Sequence, residues 1–87
     1  MRIVELDVRG LSHPEPLERA VAAFDALAED EALHLRIHRM PIPLLQIAEG
    51  RGLRYEALEV GEGDFHLLFA RDEGGDLQAL LRECCGV

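Results

Sequence analysis

Residues 6–17 read LDVRGLSHPEPL, and this stretch predicts the end of a β-strand, a tight turn and the first turn of a helix. Gly10 permits the sharp reversal, because glycine adopts backbone angles that other residues avoid. Ser12 is placed to cap the helix, and Glu15, three residues later, is placed to complete a capping box. The two prolines fall in the opening turn, where a missing amide hydrogen costs little. A helix that begins here directs free N–H groups towards the neighbourhood of His13.

The apolar pattern of the whole chain predicts four strands and three helices, the last of them in a short tail. Alternation of apolar and polar residues predicts four strands, at residues 3–8, 32–38, 53–60 and 65–69. Apolar residues at helical spacing predict helices at residues 17–28, 41–50 and 77–84. The alternation slips in the third strand, so either a bulge near Ala57 or burial of both faces is expected there.

The element order βαβαββ restricts the topology. Parallel crossovers are almost always right-handed, and strands with one polar face place both helices on the same side of the sheet. Strand 1 therefore lies beside strand 2, and the final hairpin places strand 4 next to strand 3. From the pattern alone, strand 4 is either outermost or inserted between strands 2 and 3.

The motif DxRGLxxPxP at residues 7–16 resembles the opening motif of the TusA/SirA family of small sulfur carriers and sulfurtransferases. The chain resembles more closely a related family of unknown function, which has a second Pro-x-Pro-Leu segment, here MPIPLL at residues 40–45. The likeness spans roughly residues 4–70. It favours insertion of strand 4. With the pattern above, the expected fold is an α/β (α+β) two-layer sandwich: a four-stranded mixed sheet of order 1-2-4-3 with strand 4 antiparallel, two helices on one face and a short C-terminal tail helix. The sulfur-carrying cysteine of TusA/SirA proteins precedes the first proline, and this chain has His13 there.

Composition restricts the class of protein. A chain of 87 residues is one domain with a single modest core. We expect a TusA/SirA-like domain at residues 1–71 and a tail at 72–87, joined near Gly74-Gly75. The formal charge of −8, without any lysine, argues against nucleic-acid binding. Neither a membrane span nor a signal peptide is recognisable, and two adjacent cysteines are not a disulfide framework, so we expect an acidic cytoplasmic protein that does not bind membranes.

One edge of the predicted sheet gathers the polar residues of interest. His13 follows strand 1 and His38 ends strand 2, and ligand sites in α/β sheets favour the carboxyl ends of parallel strands. Arg9 and Arg39 flank this edge and are suited to hold an anion or a partner's carboxylate. Alternatively, Arg9 pairs with Asp7 or Glu15 as a structural clamp. The predicted ligand-binding or partner-binding edge consists of Arg9, His13, Glu15, His38 and Arg39.

The histidines are also candidates for binding a metal ion or a haem. If strand 4 pairs with strand 2, His66 approaches His38, so that His13, His38 and His66 gather as possible metal ligands. Alternatively, His34, His38 and His66 are ordinary solvated residues, because all three fall on the polar phase of their strands. No nucleophile is evident beside His13, so no catalytic residue is assigned and an enzyme is the less favoured interpretation.

The two C-terminal cysteines receive different predictions. Cys84 continues the apolar stripe of the tail helix and is expected to be a packing residue. Cys85 falls off that stripe and is expected to be exposed. Either thiol is a candidate for reactive chemistry, as a sulfur carrier, a vicinal disulfide or a metal ligand.

Three functional hypotheses follow. The leading one is a non-enzymatic binding or accessory module with a protein partner and no cofactor, linked through its resemblance to sulfur or redox metabolism. The second is a sulfur carrier or sulfurtransferase that uses Cys84 or Cys85. The third is a histidine-based metal-binding or haem-binding protein.

Overall fold

The computed structural model describes residues 2–71 and 75–86. Four strands and three helices occur within these ranges, in the predicted order. They are β1 (Arg2–Asp7), α1 (Glu15–Ala26), β2 (Glu31–Ile37), α2 (Ile42–Gly50), β3 (Arg54–Gly61), β4 (Asp64–Ala70) and α3 (Leu77–Cys85). In the described residues, no helix is both long enough and apolar enough to cross a membrane.

The strands form one mixed sheet of order β1-β2-β4-β3. β1 and β2 pair in parallel, and β4 is antiparallel to both β2 and β3. This confirms the predicted insertion of β4 between β2 and β3. It also brings the carboxyl ends of β1 and β2 to the same edge of the sheet, which positions the candidate site.

The main core lies between the sheet and the pair α1 and α2, so the two helices share one face as predicted. Phe24 of α1 and Phe69 of β4 are fully buried, with ring centroids 4.8 Å apart in an edge-to-face arrangement. This core follows from the alternation read in the sequence, because every second strand residue points to this face. Its other fully or nearly fully buried members are Val8, Ala20, Leu27, Leu33, Leu35, Ile37, Leu44, Ala48, Leu53 and Leu67.

The second face of the sheet is covered by α3. Leu77 and Leu81 are buried against Ala32, Leu68 and Ala70. The leucines of the apolar stripe predicted for the tail helix therefore pack against the sheet of the same chain, whereas Cys84, predicted to continue that stripe, is half-buried and Cys85 packs there instead. The predicted boundary at residue 72 and Gly74 lie outside the described residues.

Both faces of the sheet are thus covered, which corrects the prediction that one face of the strands is polar and uncovered. Val4 packs into the main core, and Ile3 packs into the second cluster under α3. The slip in the third strand has the same cause, because Tyr55 contacts the main core and Leu58 contacts the second cluster. The irregular pairing of this strand lies between residues 59 and 61, not at Ala57.

The predicted capping box at the start of α1 is wrong. The helix begins at Glu15 with Pro14 at its N-cap position, and no side chain caps it. Ser12 instead accepts a hydrogen bond through its backbone carbonyl from the Glu15 N–H, at 2.9 Å. A capping box on Ser12 requires the helix to begin two residues earlier than it does.

Candidate functional site

A pocket of about 610 Å³ opens between the β1–α1 loop and the β2–α2 loop. The parallel pairing of β1 and β2 places these loops side by side, and the Val8 N–H extends the pairing by donating to the Arg36 carbonyl at 2.9 Å. The pocket is lined by Gly10, Leu11, Ser12, His13, Pro16, Leu17, Ile37, His38, Arg39, Met40, Pro41, Pro43 and Leu44. Both quoted proline motifs of the sequence therefore contribute to one cavity.

The lining is mainly apolar, with three basic or ionisable side chains. His13, His38 and Arg39 all line the pocket, so the structure brings together three of the five residues of the predicted edge. Nδ1 of His38 is buried and has no hydrogen-bond partner within the described part of the chain. Met40 is 37% exposed and is one of three exposed large apolar side chains among the described residues, with Ile42 and Val60.

Arg9 and Glu15, the other two residues of the predicted edge, do not line the pocket. Arg9 donates from Nη2 to Asp7 Oδ2 at 2.8 Å and from Nε to Asp7 Oδ1 at 3.0 Å. These hydrogen bonds are the main reason that the pKa of Asp7 falls to about 2. Asp7 in turn raises the pKa of Arg9. The structure therefore shows the clamp between Arg9 and Asp7, which the sequence left as an alternative.

A second cluster of polar side chains lies on the opposite face of the sheet, under α3. Nδ1 of His34 lies 2.7 Å from Glu5 Oε1, and Nε2 of His34 lies 2.8 Å from Nδ1 of His66. Nε2 of His66 lies 3.4 Å from Asp64 Oδ1. The four side chains form a continuous row, carboxylate–imidazole–imidazole–carboxylate.

Both imidazoles of this row are buried, His34 being 4% and His66 6% exposed. Burial is the main reason that the pKa of His66 is lowered, and the nearby Arg36 guanidinium lowers it further. The prediction that His34 and His66 are solvated is wrong, because α3 covers the face on which they lie. The structure also places His66 with His34, not with His13 and His38 at the pocket.

Cys85 completes this cluster. Its Sγ and one ring nitrogen from each of His34 and His66 all lie within 4.8 Å of one another. Cys85 packs against the second apolar cluster, so its predicted exposure is wrong. Both Cys84 and Cys85 are half-buried free thiols, and burial is the main reason that the pKa of each is raised. A raised pKa disfavours the thiolate that sulfur transfer requires.

The row of Glu5, His34, His66 and Asp64 was not predicted, although its main signal, the positions of the two histidines on paired strands, is present in the sequence. On an antiparallel pair, residues two positions apart on neighbouring strands are diagonal neighbours on one face. His34 is opposite Leu68 and His66 is opposite Arg36, so the two histidines meet diagonally. Recognising the row required the strand order and the strand register together.

The fold and the pocket define a small α+β protein with a candidate binding edge at the carboxyl ends of two parallel strands. The chain belongs to the family described as Uncharacterized conserved protein (DUF2249), which matches residues 5–71. The match runs from β1 to the residue after β4, so α3 and its cysteines lie outside it. No curated protein and no solved structure matches the chain significantly.

Proposed function

We propose that this protein is a non-enzymatic binding or accessory module whose pocket receives a segment of a partner protein. The observation that carries the proposal is the pocket of about 610 Å³ lined by His13, His38 and Arg39. A cavity of this size is within the range that accommodates a compact ligand or a few side chains. Its lining combines apolar surface with a few polar groups, which is the usual composition of a binding site.

The chemistry of the lining favours a particular kind of segment. The apolar residues are suited to an aliphatic or aromatic side chain, and the exposed part of Met40 offers an adaptable contact surface beside them. Arg39 provides a guanidinium that pairs with a carboxylate, and each histidine provides a ring nitrogen for a hydrogen bond. A partner segment with an apolar side chain next to an acidic group, or ending in a carboxylate, satisfies both parts of the lining.

The proposed setting is sulfur or redox metabolism. Its support is the resemblance of residues 7–16 and 40–45 to TusA/SirA-like motifs, both of which contribute to the pocket. His13 stands where those proteins have their sulfur-carrying cysteine. The module would then bind a component of such a pathway without carrying sulfur itself at this position.

A matched pair of variants tests this proposal. Met40 lines the pocket and is 37% exposed, whereas Val60 lies on β3, away from the lining, and is 40% exposed. Tagged wild type, Met40→Asp and Val60→Asp are incubated with lysate of the source organism, and the captured proteins are quantified by mass spectrometry. The partner captured by wild type is then purified and titrated against each form.

We expect Met40→Asp to weaken binding of that partner about tenfold or more, equivalent to about 1.4 kcal/mol, and Val60→Asp to leave it unchanged. Equal affinity of all three forms would exclude the pocket as the binding surface. Intact mass spectrometry after incubation with a cysteine desulfurase and cysteine provides the second measurement. A gain of one sulfur atom at Cys84 or Cys85 would favour the sulfur-carrier alternative instead.

A further inference from the structure

We propose that His34, His66 and Cys85 bind one divalent zinc-class metal ion between the sheet and α3. This cluster lies on the opposite face of the sheet from the pocket, so the inference does not depend on the proposed function. It also differs from the histidine set expected from the sequence, which combined His66 with His13 and His38.

The ligand atoms are close to the spacing that a tetrahedral ion requires. Zinc lies about 2.0–2.1 Å from imidazole nitrogen and about 2.3 Å from thiolate sulfur, so ligand nitrogens lie about 3.3 Å apart and nitrogen and sulfur about 3.6 Å apart. The two facing nitrogens of His34 and His66 are 2.8 Å apart. All three ligand atoms lie within 4.8 Å of one another. The required arrangement is reached by adjustments of about 0.5 Å between the two nitrogens and at most about 1.2 Å between nitrogen and sulfur.

Each histidine has a carboxylate beside its outer ring nitrogen, which is hydrogen-bonded at His34 and within ion-pair distance at His66. A ligating imidazole usually donates its second ring N–H to a carboxylate, which fixes its tautomer and orientation. His34 has Glu5 at 2.7 Å from Nδ1, and His66 has Asp64 at 3.4 Å from Nε2. Their remaining nitrogens face each other, and Cys85 Sγ lies within 4.8 Å of one nitrogen of each ring.

The number of ring hydrogens supports a cation at the centre of this row. Two neutral imidazoles carry two N–H groups, whereas the row has three contacts, to Glu5, between the rings and to Asp64. A hydrogen shared between the rings leaves a bare nitrogen against the carboxylate of Glu5 or Asp64. A metal ion between the rings allows each histidine to donate to its own carboxylate, so that all contacts are satisfied. An extra proton on the rings would satisfy the same contacts, and the metal titration described below distinguishes the two.

The donor set indicates the class of ion. Two imidazoles and one thiolate are ligands that zinc accepts readily, and the fourth tetrahedral position remains for water or another ligand. Binding releases one proton, from the Cys85 thiol, because both imidazoles ligate in their neutral form. Since the histidines lie on β2 and β4 and the cysteine on α3, the bound ion also ties α3 to the sheet.

Cobalt and zinc titrations of the purified full chain test this site. Co²⁺ bound by a thiolate gives a near-ultraviolet charge-transfer band, and tetrahedral Co²⁺ gives visible d–d bands. We expect wild type to show both with a stoichiometry of about one ion per chain, and to lose them on addition of Zn²⁺. Zn²⁺ should also raise the melting temperature, since metal binding to the folded state stabilises it.

The matched variants are Cys85→Ser and Cys84→Ser, which change adjacent half-buried thiols on the same helix, only one of which belongs to the cluster. Cys85→Ser should lose the charge-transfer band and at least tenfold in affinity, whereas Cys84→Ser and the pocket variant His13→Ala should match wild type. His66→Gln should lose metal binding if it folds, and the comparison of the two cysteine variants decides the question if it does not.

The absence of bands in wild type, or equal effects of the two cysteine variants, would overturn the proposal. Met40→Asp should bind Co²⁺ normally, so failure of the pocket proposal and failure of the metal proposal are distinguishable.

Discussion

Nε2 of His34 lies 2.8 Å from Nδ1 of His66, although 32 positions separate the two residues in the chain. The antiparallel pairing of β2 and β4 makes them diagonal neighbours, and α3 closes the face on which they lie. Both rings are buried, so each relies on the other for a hydrogen bond that water would otherwise supply. This dependence makes the pair sensitive to the loss of one member.

The histidine pair should therefore show strong energetic coupling in metal-free protein. His34→Leu leaves Nδ1 of the buried His66 without its partner, and should lower the free energy of unfolding by about 1–3 kcal/mol. The double variant with His66→Leu removes both polar rings and should recover much of that loss. Urea denaturation with a chelator present measures all four members of the cycle. Additive effects of the two substitutions would contradict the coupling.

Phe24→Ala should be strongly destabilising. The Phe24 ring is fully buried and contacts Phe69 edge to face. Truncating a buried phenylalanine costs about 3–5 kcal/mol, which approaches the whole stability of a small domain. Thermal and urea unfolding monitored by circular dichroism measure the change. Val60→Ala, at a 40% exposed position, is the control and should shift stability by about 0.5 kcal/mol or less. A melting temperature of Phe24→Ala close to wild type would contradict the assignment of the buried face of α1.

The strands, the helices and the main core were predictable from sequence for a physical reason. Alternation in the strands and helical spacing in residues 17–28 are local signals, and each marks one buried face directly. Phe24 and Leu27 belong to the helically spaced apolar residues of that range, and both are buried, Leu27 at the C-cap of α1. The insertion of β4 came from the resemblance, because local patterns do not distinguish an outermost strand from an inserted one.

The second face was not predictable in the same way. His34 and His66 occupy polar-phase positions, and only the docking of α3 decides that they are buried. The pocket was partly predictable, since parallel pairing brings the loops of His13 and His38 together. Arg9 does not line the pocket because its side chain pairs with Asp7 instead. Residue types alone do not show whether an arginine such as Arg9 pairs with a neighbouring carboxylate or lines a ligand site, because the geometry decides between the two.

Arg71 provides a stabilising contact that the sequence analysis did not identify. Its Nη2 donates to the Phe24 carbonyl at 2.9 Å and its Nε to the Leu27 carbonyl at 3.3 Å, both at the end of α1. Arg71→Ala should lower the free energy of unfolding by about 2 kcal/mol, because hydrogen bonds from a charged group contribute about 1.5–3 kcal/mol. Arg19→Ala, on the exposed side of α1, is the control. Equal urea midpoints for both variants would show that Arg71 does not secure the helix end.

The Arg9–Asp7 pair predicts a specific dependence of stability on pH. The pKa of Asp7 falls from 3.8 to about 2 on folding, so the pair's contribution is fully present above pH 3.8 and is lost as pH falls through about 2. Since the two side chains are 38% and 48% exposed, solvent screening keeps this contribution small. Urea midpoints of wild type and Asp7→Asn should therefore differ near neutral pH and converge at acid pH. A difference that persists at pH 2, or that is unchanged in about 1 M salt, would contradict the ion pair.

Deleting residues 76–87 should leave a folded domain that associates more strongly. The main core lies entirely between the sheet and the pair α1 and α2, and it does not include α3. The deletion exposes apolar residues of the second face, among them Leu68, and such patches promote self-association. Light scattering with size-exclusion chromatography measures the association, and circular dichroism measures the unfolding transition. Leu81→Asp, at a 2% exposed position, should reproduce the association, whereas Gln78→Asp on the exposed side of α3 should not. Loss of the cooperative transition on deletion would instead show that folding of the sheet requires α3.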